Sequence, residues 1–155
     1  MPTTTERPPS PPRERFLELL VTAPPPEVAP LAARAAELAR VEVRRGPEVG
    51  LIAMQVREPV AGERFLLADV LATVVEVEVD GTRGWAMRLG EDRVATLACA
   101  ICDAVLSMPA PAGELGVLAH EIVALCDRSA DRAVAEEAAE RRLLAPTAVA
   151  FEELD

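Results

Sequence analysis

The chain has 155 residues, half of them hydrophobic, and carries a formal net charge of −10 at pH 7. This length favours one domain with one core, and the hydrophobic fraction excludes a wholly disordered chain. The negative charge opposes contact with phosphate backbones, so we expect no nucleic acid partner.

The first twelve residues are rich in Pro and Thr, and we expect a flexible terminus over residues 1–12 before a single domain over residues 13–155. This start has neither the apolar core nor the cleavage signature of a secretory signal. No apolar run in the chain is long enough to span a bilayer. With few cysteines as well, the sequence predicts a cytoplasmic protein that does not associate with membranes.

Two helices are predicted next. Ser10 before Pro11 is typical of a helix start, and Pro24 ends this first helix. The second runs from about Glu27 to Ala39, with Pro30 early enough to be tolerated in the first turn. The residues that recur on the apolar faces are Phe16, Leu19, Leu20 and Ala23 in the first helix and Val28, Leu31, Ala35 and Leu38 in the second.

Strands follow the helices. An alternating strand begins at Val41 and is expected to break at Gly46-Pro47. The mostly apolar run from Val49 to Glu58 predicts a central strand that is covered on both faces.

The best-patterned stretch is a predicted hairpin around Asp80-Gly81. Alternation places Val75, Val77 and Val79 on one face of its first strand and Trp85, Met87 and Leu89 on one face of its second. A three-residue loop with a bulge at Gly81 would bring these two sets together, on a face buried by helices. The opposite face would then bring Glu76 and Glu78 near Arg83 or Arg88.

The chain is predicted to end in helices. Asp92 caps a third helix, whose apolar positions run from Val94 to Met108, and a further helix covers Glu114 to about Leu144. Pro146 stops it, and residues 147–154 have the character of a last strand. The predicted fold is α+β: an antiparallel β-sheet with N-terminal helices and C-terminal helices packed on it.

Candidate catalytic groups are few. The chain has no Lys, no Tyr and a single His, His120, which excludes a phosphate loop of the Walker type and a Schiff-base lysine. Cys99, Cys102, His120 and Cys126 offer the ligand types of a zinc site. The first two lie in a continuous helix and not in the turn of a zinc knuckle, so we expect no metal, and zinc stays a weak alternative.

Four motifs occur in an order and spacing that resemble the PhnG family, a small subunit of the bacterial carbon–phosphorus lyase system. They are "PEVGL" from Pro47, "GERF" from Gly62, "DGTRG" from Asp80 and "LGED" from Leu89. The chain departs from the family where a "GRDxxHAE"-like run is common, because it has "GEDRVATLA" from Gly90.

The resemblance implies a subunit that works with PhnH, PhnI and a PhnL-like ATPase, in a core assembly that also holds PhnJ. Together these displace adenine from ATP with an alkylphosphonate and give α-D-ribose 1-alkylphosphonate 5-triphosphate. It implies no cofactor in this subunit and no catalysis by the chain alone, although whether to class the chain as an enzyme stays open.

We assign no catalytic residue and expect partner-interface or structural roles for five residues, namely Glu63, Arg64, Phe65, Trp85 and Arg88. Trp85 is either a core aromatic or an interface anchor, since Trp is favoured at the centres of interfaces. Arg64 is either an anion ligand or a surface residue of a turn. The alternative function is a non-enzymatic, protein-binding adaptor or scaffold.

Overall fold

The computed structural model describes residues 13–144. In chain order the elements are α1 (Arg13–Thr22), α2 (Pro25–Leu38), β1 (Val41–Arg57), β2 (Arg64–Val79), β3 (Thr82–Leu89), α3 (Arg93–Ser107) and α4 (Gly113–Leu144). The three strands form an antiparallel meander in the order β1-β2-β3. This confirms the predicted α+β class, with helices before and after the sheet.

The helix ends that were predicted within residues 13–144 lie close to the predicted positions. Pro25 occupies the first turn of α2, where its missing N–H costs nothing, and Pro30 therefore falls in the second turn and not the first. Asp92 caps α3 as predicted, since its side chain accepts a hydrogen bond from the backbone N of Ala95 at 2.9 Å.

The predicted break at Gly46-Pro47 is wrong. β1 continues through it as a single strand, and the irregularity is absorbed by register shifts on either side of Arg45. A proline is tolerated because β1 is an edge strand, where the missing N–H need not remove a ladder hydrogen bond. The expected central strand at Val49–Glu58 is therefore the outer end of an edge strand, and β2 is the central one.

The predicted three-residue loop is also wrong. Val79 pairs with Thr82, so the turn consists of Asp80 and Gly81 alone, both at positive φ. This is the geometry that an Asp-Gly hairpin favours. The two-residue turn puts Trp85 opposite Glu76, on the face away from the helices, and puts Val77 opposite Gly84.

Close helix packing explains this choice of register. A Cβ at Gly84 would lie 2.2 Å from the carbonyl oxygen of Ala100 and 2.7 Å from the Cβ of Ala104. The small residues Gly84 and Ala86 face α3 for this reason, and a tryptophan on that face would not fit.

α3 lies between the sheet and the other helices. It contacts β2 and β3 on one side and α1, α2 and α4 on the other. The fully buried side chains of the core cluster include Leu20, Val28, Val75, Val77, Val105, Leu118, Ile122 and Leu125. Of the helices within residues 13–144, none is both long enough and apolar enough to cross a membrane.

Four predicted features lie outside the described residues. These are the flexible Pro-rich start at residues 1–12, the helix start at Ser10-Pro11, the helix stop at Pro146 and the last strand at residues 147–154.

Candidate functional site: an uncovered ribbon and a charged cleft

The β1–β2 hairpin extends beyond the helices as a two-stranded ribbon, which we define as residues 50–71. None of these residues is buried. Its large exposed hydrophobic side chains are Leu51, Met54, Val60, Phe65, Leu66, Leu67 and Leu71. So many exposed apolar side chains within one short segment indicate an interaction site.

Apolar groups lie on both faces of the ribbon. Leu51 is paired with Leu71 on one face, and Val56 is paired with Phe65 on the other. The strand register shifts by one residue between Met54 and Gln55, on the way to the tip. Because no ribbon residue is buried, the helices cover neither face. A sheet with a solvated face would instead carry polar residues on that face.

The ribbon also has unpaired edges. β3 pairs with β2 only from Ala72 to Val79, so the stretch from Arg64 to Val70 has β1 as its one strand neighbour among residues 13–144. Free N–H and C=O groups along such an edge can pair with a strand from another chain.

The tip of the ribbon is ordered by Glu58. Its carboxylate accepts hydrogen bonds from the backbone N–H groups of Ala61 and Val60, and these bonds lower the pKa of Glu58. A fixed tip reduces the conformational entropy that is lost when a partner binds.

A charged cleft of about 610 Å³ lies on the sheet at the end far from the ribbon tip. Arg44 of β1, Glu76 and Glu78 of β2, and Arg83 and Trp85 of β3 line it, together with Arg13 of α1. Glu78 is bound by Arg44 at 2.9 Å, and Glu76 lies 3.9 Å from Arg45. Glu78 lies opposite Arg83 in the strand register, as predicted, whereas Arg88 lies on the other face and the ion pairs of the two glutamates are made with arginines of β1.

A buried carboxylate holds one wall of the cleft. Asp103 of α3 is 1 % exposed and accepts hydrogen bonds from Arg13 and from the backbone N of Trp85. The bond to Asp103 raises the pKa of Arg13. Arg13 also donates to the carbonyl oxygen of Arg83 at 3.2 Å, so one buried anion fixes the positions of three lining residues.

The five predicted interface residues do not lie together. Glu63, Arg64 and Phe65 lie at the outer end of the ribbon, whereas Trp85 faces the cleft and is 41 % exposed. Arg88 points to the helices and donates to the carbonyl oxygen of Ala23 at 3.1 Å.

The weak zinc alternative gains no support from the geometry. Within residues 13–144 no three His, Cys, Asp or Glu side chains are grouped so as to hold a metal ion. The thiols of Cys99 and Cys126 donate to the carbonyl oxygens of Leu20 and Phe16, and His120 bonds the carbonyl oxygen of Gly116 in its own helix. Burial raises the pKa of all three thiols, which disfavours the thiolate that a metal requires.

Sequence reasoning missed the pairing of Asp103 with Arg13 and the exposure of Leu51 and Leu71. The first joins residues 90 positions apart, and no local pattern indicates it. The sequence did carry a signal for the exposure of Leu51 and Leu71, namely the long apolar run before "GERF". Such a run predicts a strand, but periodicity does not say whether helices of the same chain cover that strand.

Comparison with known families identifies a match over nearly the whole chain. The family model described as "Phosphonate metabolism protein PhnG" matches residues 11–154, which is nearly the whole chain. This confirms the resemblance that the four motifs indicate, and it extends the resemblance through α4.

Proposed function

Because this chain belongs to the PhnG family of phosphonate metabolism proteins, we propose that it is a subunit of a carbon–phosphorus lyase core complex that contains PhnH-, PhnI- and PhnJ-like partners. In this role it acts with PhnI, PhnH and a PhnL-like ATPase in transferring the ribose triphosphate moiety of ATP to an alkylphosphonate, with release of adenine. The chain supplies binding surface and no cofactor.

The observation that carries this proposal is the uncovered ribbon. A chain that worked alone would expose apolar side chains on two faces and two unpaired strand edges, which favours aggregation. A partner subunit that lays a strand along the edge from Arg64 to Val70 and covers Leu51 and Leu71 removes both defects. We propose that a PhnI-like subunit is this partner.

The scarcity of catalytic groups supports the same role. The chain has no Lys, and its three thiols are buried with raised pKa values. Covalent catalysis by a lysine is excluded, and the thiols are poor nucleophiles because the reactive form is the thiolate.

The test is co-expression with the PhnH-, PhnI-, PhnJ- and PhnL-like proteins of the same genome. The complex is purified through a tag on this chain, and adenine release from ATP is measured with methylphosphonate. We expect co-purification, and adenine release that disappears when this chain is omitted.

Other outcomes discriminate between the roles. Robust adenine release by the pure single chain contradicts the proposal. Co-purification with activity that does not depend on the chain supports the adaptor or scaffold alternative. A failure to co-purify with any of the four proteins contradicts the subunit role itself.

A further inference from the structure

Trp85 is an exposed aromatic residue that lines a cleft of ligand size together with Arg83. Small-molecule sites usually measure about 300–1,000 Å³ and combine an apolar surface with a few fixed polar groups. The Trp85 ring is the apolar surface of the cleft, and arginines and glutamates are its polar groups. The hydrogen bond from the backbone N of Trp85 to Asp103 holds the strand that carries the ring in place. An aromatic side chain on a strand offers a stacking surface for any flat ring.

Arg83 supplies a cation that no described residue pairs with. Within residues 13–144, the Arg83 side chain makes no hydrogen bond and no ion pair, and it is exposed. Arg44, by contrast, is bound by Glu42 and Glu78, and Arg13 is bound by Asp103. An unpaired guanidinium prefers a planar or tetrahedral oxyanion, to which it donates two hydrogen bonds at once.

The cleft concentrates arginines in a chain that carries a net charge of −10. Asp103 offsets Arg13, and Glu42 and Glu78 offset Arg44, so Arg83 is the lining arginine whose charge no described residue offsets. Glu76 lies opposite Trp85 in the strand register, so an acceptor stands beside the aromatic ring. A carboxylate there accepts hydrogen bonds from amino or hydroxyl groups of a ligand.

These features fit a ligand that has a flat ring, an oxyanion and hydrogen-bond donors within one small molecule. We propose that the cleft binds a nucleoside phosphate, whose base stacks on Trp85 and whose phosphate is bound by Arg83. Glu76 then accepts from an amino or sugar hydroxyl group. The proposal depends only on the cleft of this chain, so it stands or falls separately from the subunit role.

Trp85 makes the test direct, because it is the one tryptophan in a chain without tyrosine. Its fluorescence in the purified full-length chain is followed during titration with AMP and ATP. We expect saturable quenching by both nucleotides. Adenosine, which lacks the phosphate, and ribose 5-phosphate, which lacks the base, should each bind at least about 10-fold more weakly than AMP.

Variants separate binding from folding. Arg83→Ala should weaken AMP binding by at least about 10-fold, and Arg83→Lys should restore part of it, since the charge remains but the bidentate geometry is lost. Arg141→Ala is the matched control, because Arg141 is exposed near the end of α4 and its one ion pair among the described residues is with Glu137. The circular dichroism melting curves of the variants should coincide with that of the wild type.

Three results would overturn the proposal. The first is the absence of saturable quenching by AMP and ATP up to millimolar concentration. The second is equal binding of ribose 5-phosphate and AMP, because the ring would then contribute nothing. The third is undiminished AMP binding by a folded Arg83→Ala chain, measured by calorimetry as well as fluorescence.

Discussion

The carboxylate of Asp103 accepts two hydrogen bonds from the guanidinium of Arg13, at 3.1 Å from Nε and 2.6 Å from Nη2. Asp103 is 1 % exposed, whereas half of the Arg13 side chain is accessible to solvent. The pair joins the start of α1 to the middle of α3, and through the backbone N of Trp85 it also holds β3. One side chain therefore connects three elements.

Arg13→Ala should destabilise the fold because it leaves the buried carboxylate of Asp103 with the Trp85 N–H as its one partner among residues 13–144. We expect a loss of about 1–3 kcal/mol in the free energy of unfolding, below the value for a fully buried pair because Arg13 is half exposed. Urea denaturation measures it. Arg15→Ala is the control, since Arg15 pairs with the exposed Glu18 and should cost under about 0.5 kcal/mol. Equal costs would contradict the structural role of Asp103.

Gly84→Ala should be among the most damaging single substitutions. The new Cβ would lie 2.2 Å from the carbonyl oxygen of Ala100 and 2.5 Å from the backbone N of Ala104, and backbone atoms cannot turn aside. We expect a loss of about 3 kcal/mol or more in unfolding free energy. Gly50→Ala is the matched control on a strand, where nothing lies within 4 Å of the new Cβ, and should change stability little. A stable Gly84→Ala protein would mean that α3 does not pack on β3 as described.

The hairpin shows what the sequence could and could not determine. Alternation located its strands, and Asp80-Gly81 located its turn. Alternation alone does not say which set of side chains faces the core, because both sets are regular. We assumed that the larger set, with Trp85, faces the helices. In the structure the smaller set faces the helices, because α3 approaches β3 so closely that only small residues such as Gly84 and Ala86 fit between them.

The ribbon shows a different limit. The apolar run from Val49 has the composition of a strand that is covered on both faces, and that interpretation assumed a cover within the same chain. Hydrophobicity reports that a surface is to be buried and not what buries it. Sequence reasoning gave Glu63, Arg64 and Phe65 interface or structural roles, and the structure locates them on a surface that residues 13–144 leave uncovered.

The buried thiols predict how stability depends on pH. Burial, with a smaller contribution from Asp127, raises the pKa of Cys126 from 9.0 to about 12. The folded state therefore holds the thiol proton more tightly than the unfolded state. The protonated thiol therefore contributes its full stabilisation below about pH 9. As the pH rises from 9 towards 12, the free energy of unfolding falls by up to about 1.4 kcal/mol per pH unit for each such thiol.

Unfolding free energies measured by urea titration from pH 7 to about pH 11 check this dependence. Cys126→Ala should show a shallower decline above pH 9 than the wild type, because one titrating group is missing, even though its stability at pH 7 is also lower. Identical slopes for the two proteins would show that Cys126 does not titrate abnormally.

The last prediction concerns the cross-strand pair of Leu51 and Leu71 on the ribbon, which are 68 % and 41 % exposed. Replacing them together, Leu51→Lys with Leu71→Glu, removes apolar surface but leaves an opposite-charge pair that favours the same register. The isolated chain should therefore keep its melting temperature and aggregate less. Its co-purification with a PhnI-like partner should fall by at least about 10-fold, since a charged pair cannot be buried at the same interface without cost.

The control for that experiment is Val134→Glu, because Val134 is a similarly exposed apolar residue of α4, 67 % accessible and away from the ribbon. It should leave both aggregation and co-purification unchanged. If the ribbon variant binds its partner as well as the wild type, the partner does not dock on the face that carries Leu51 and Leu71. Binding would then depend on strand pairing along the edge from Arg64 to Val70. Leu67→Pro tests that second mode of docking, since it removes an N–H from the edge strand without adding charge.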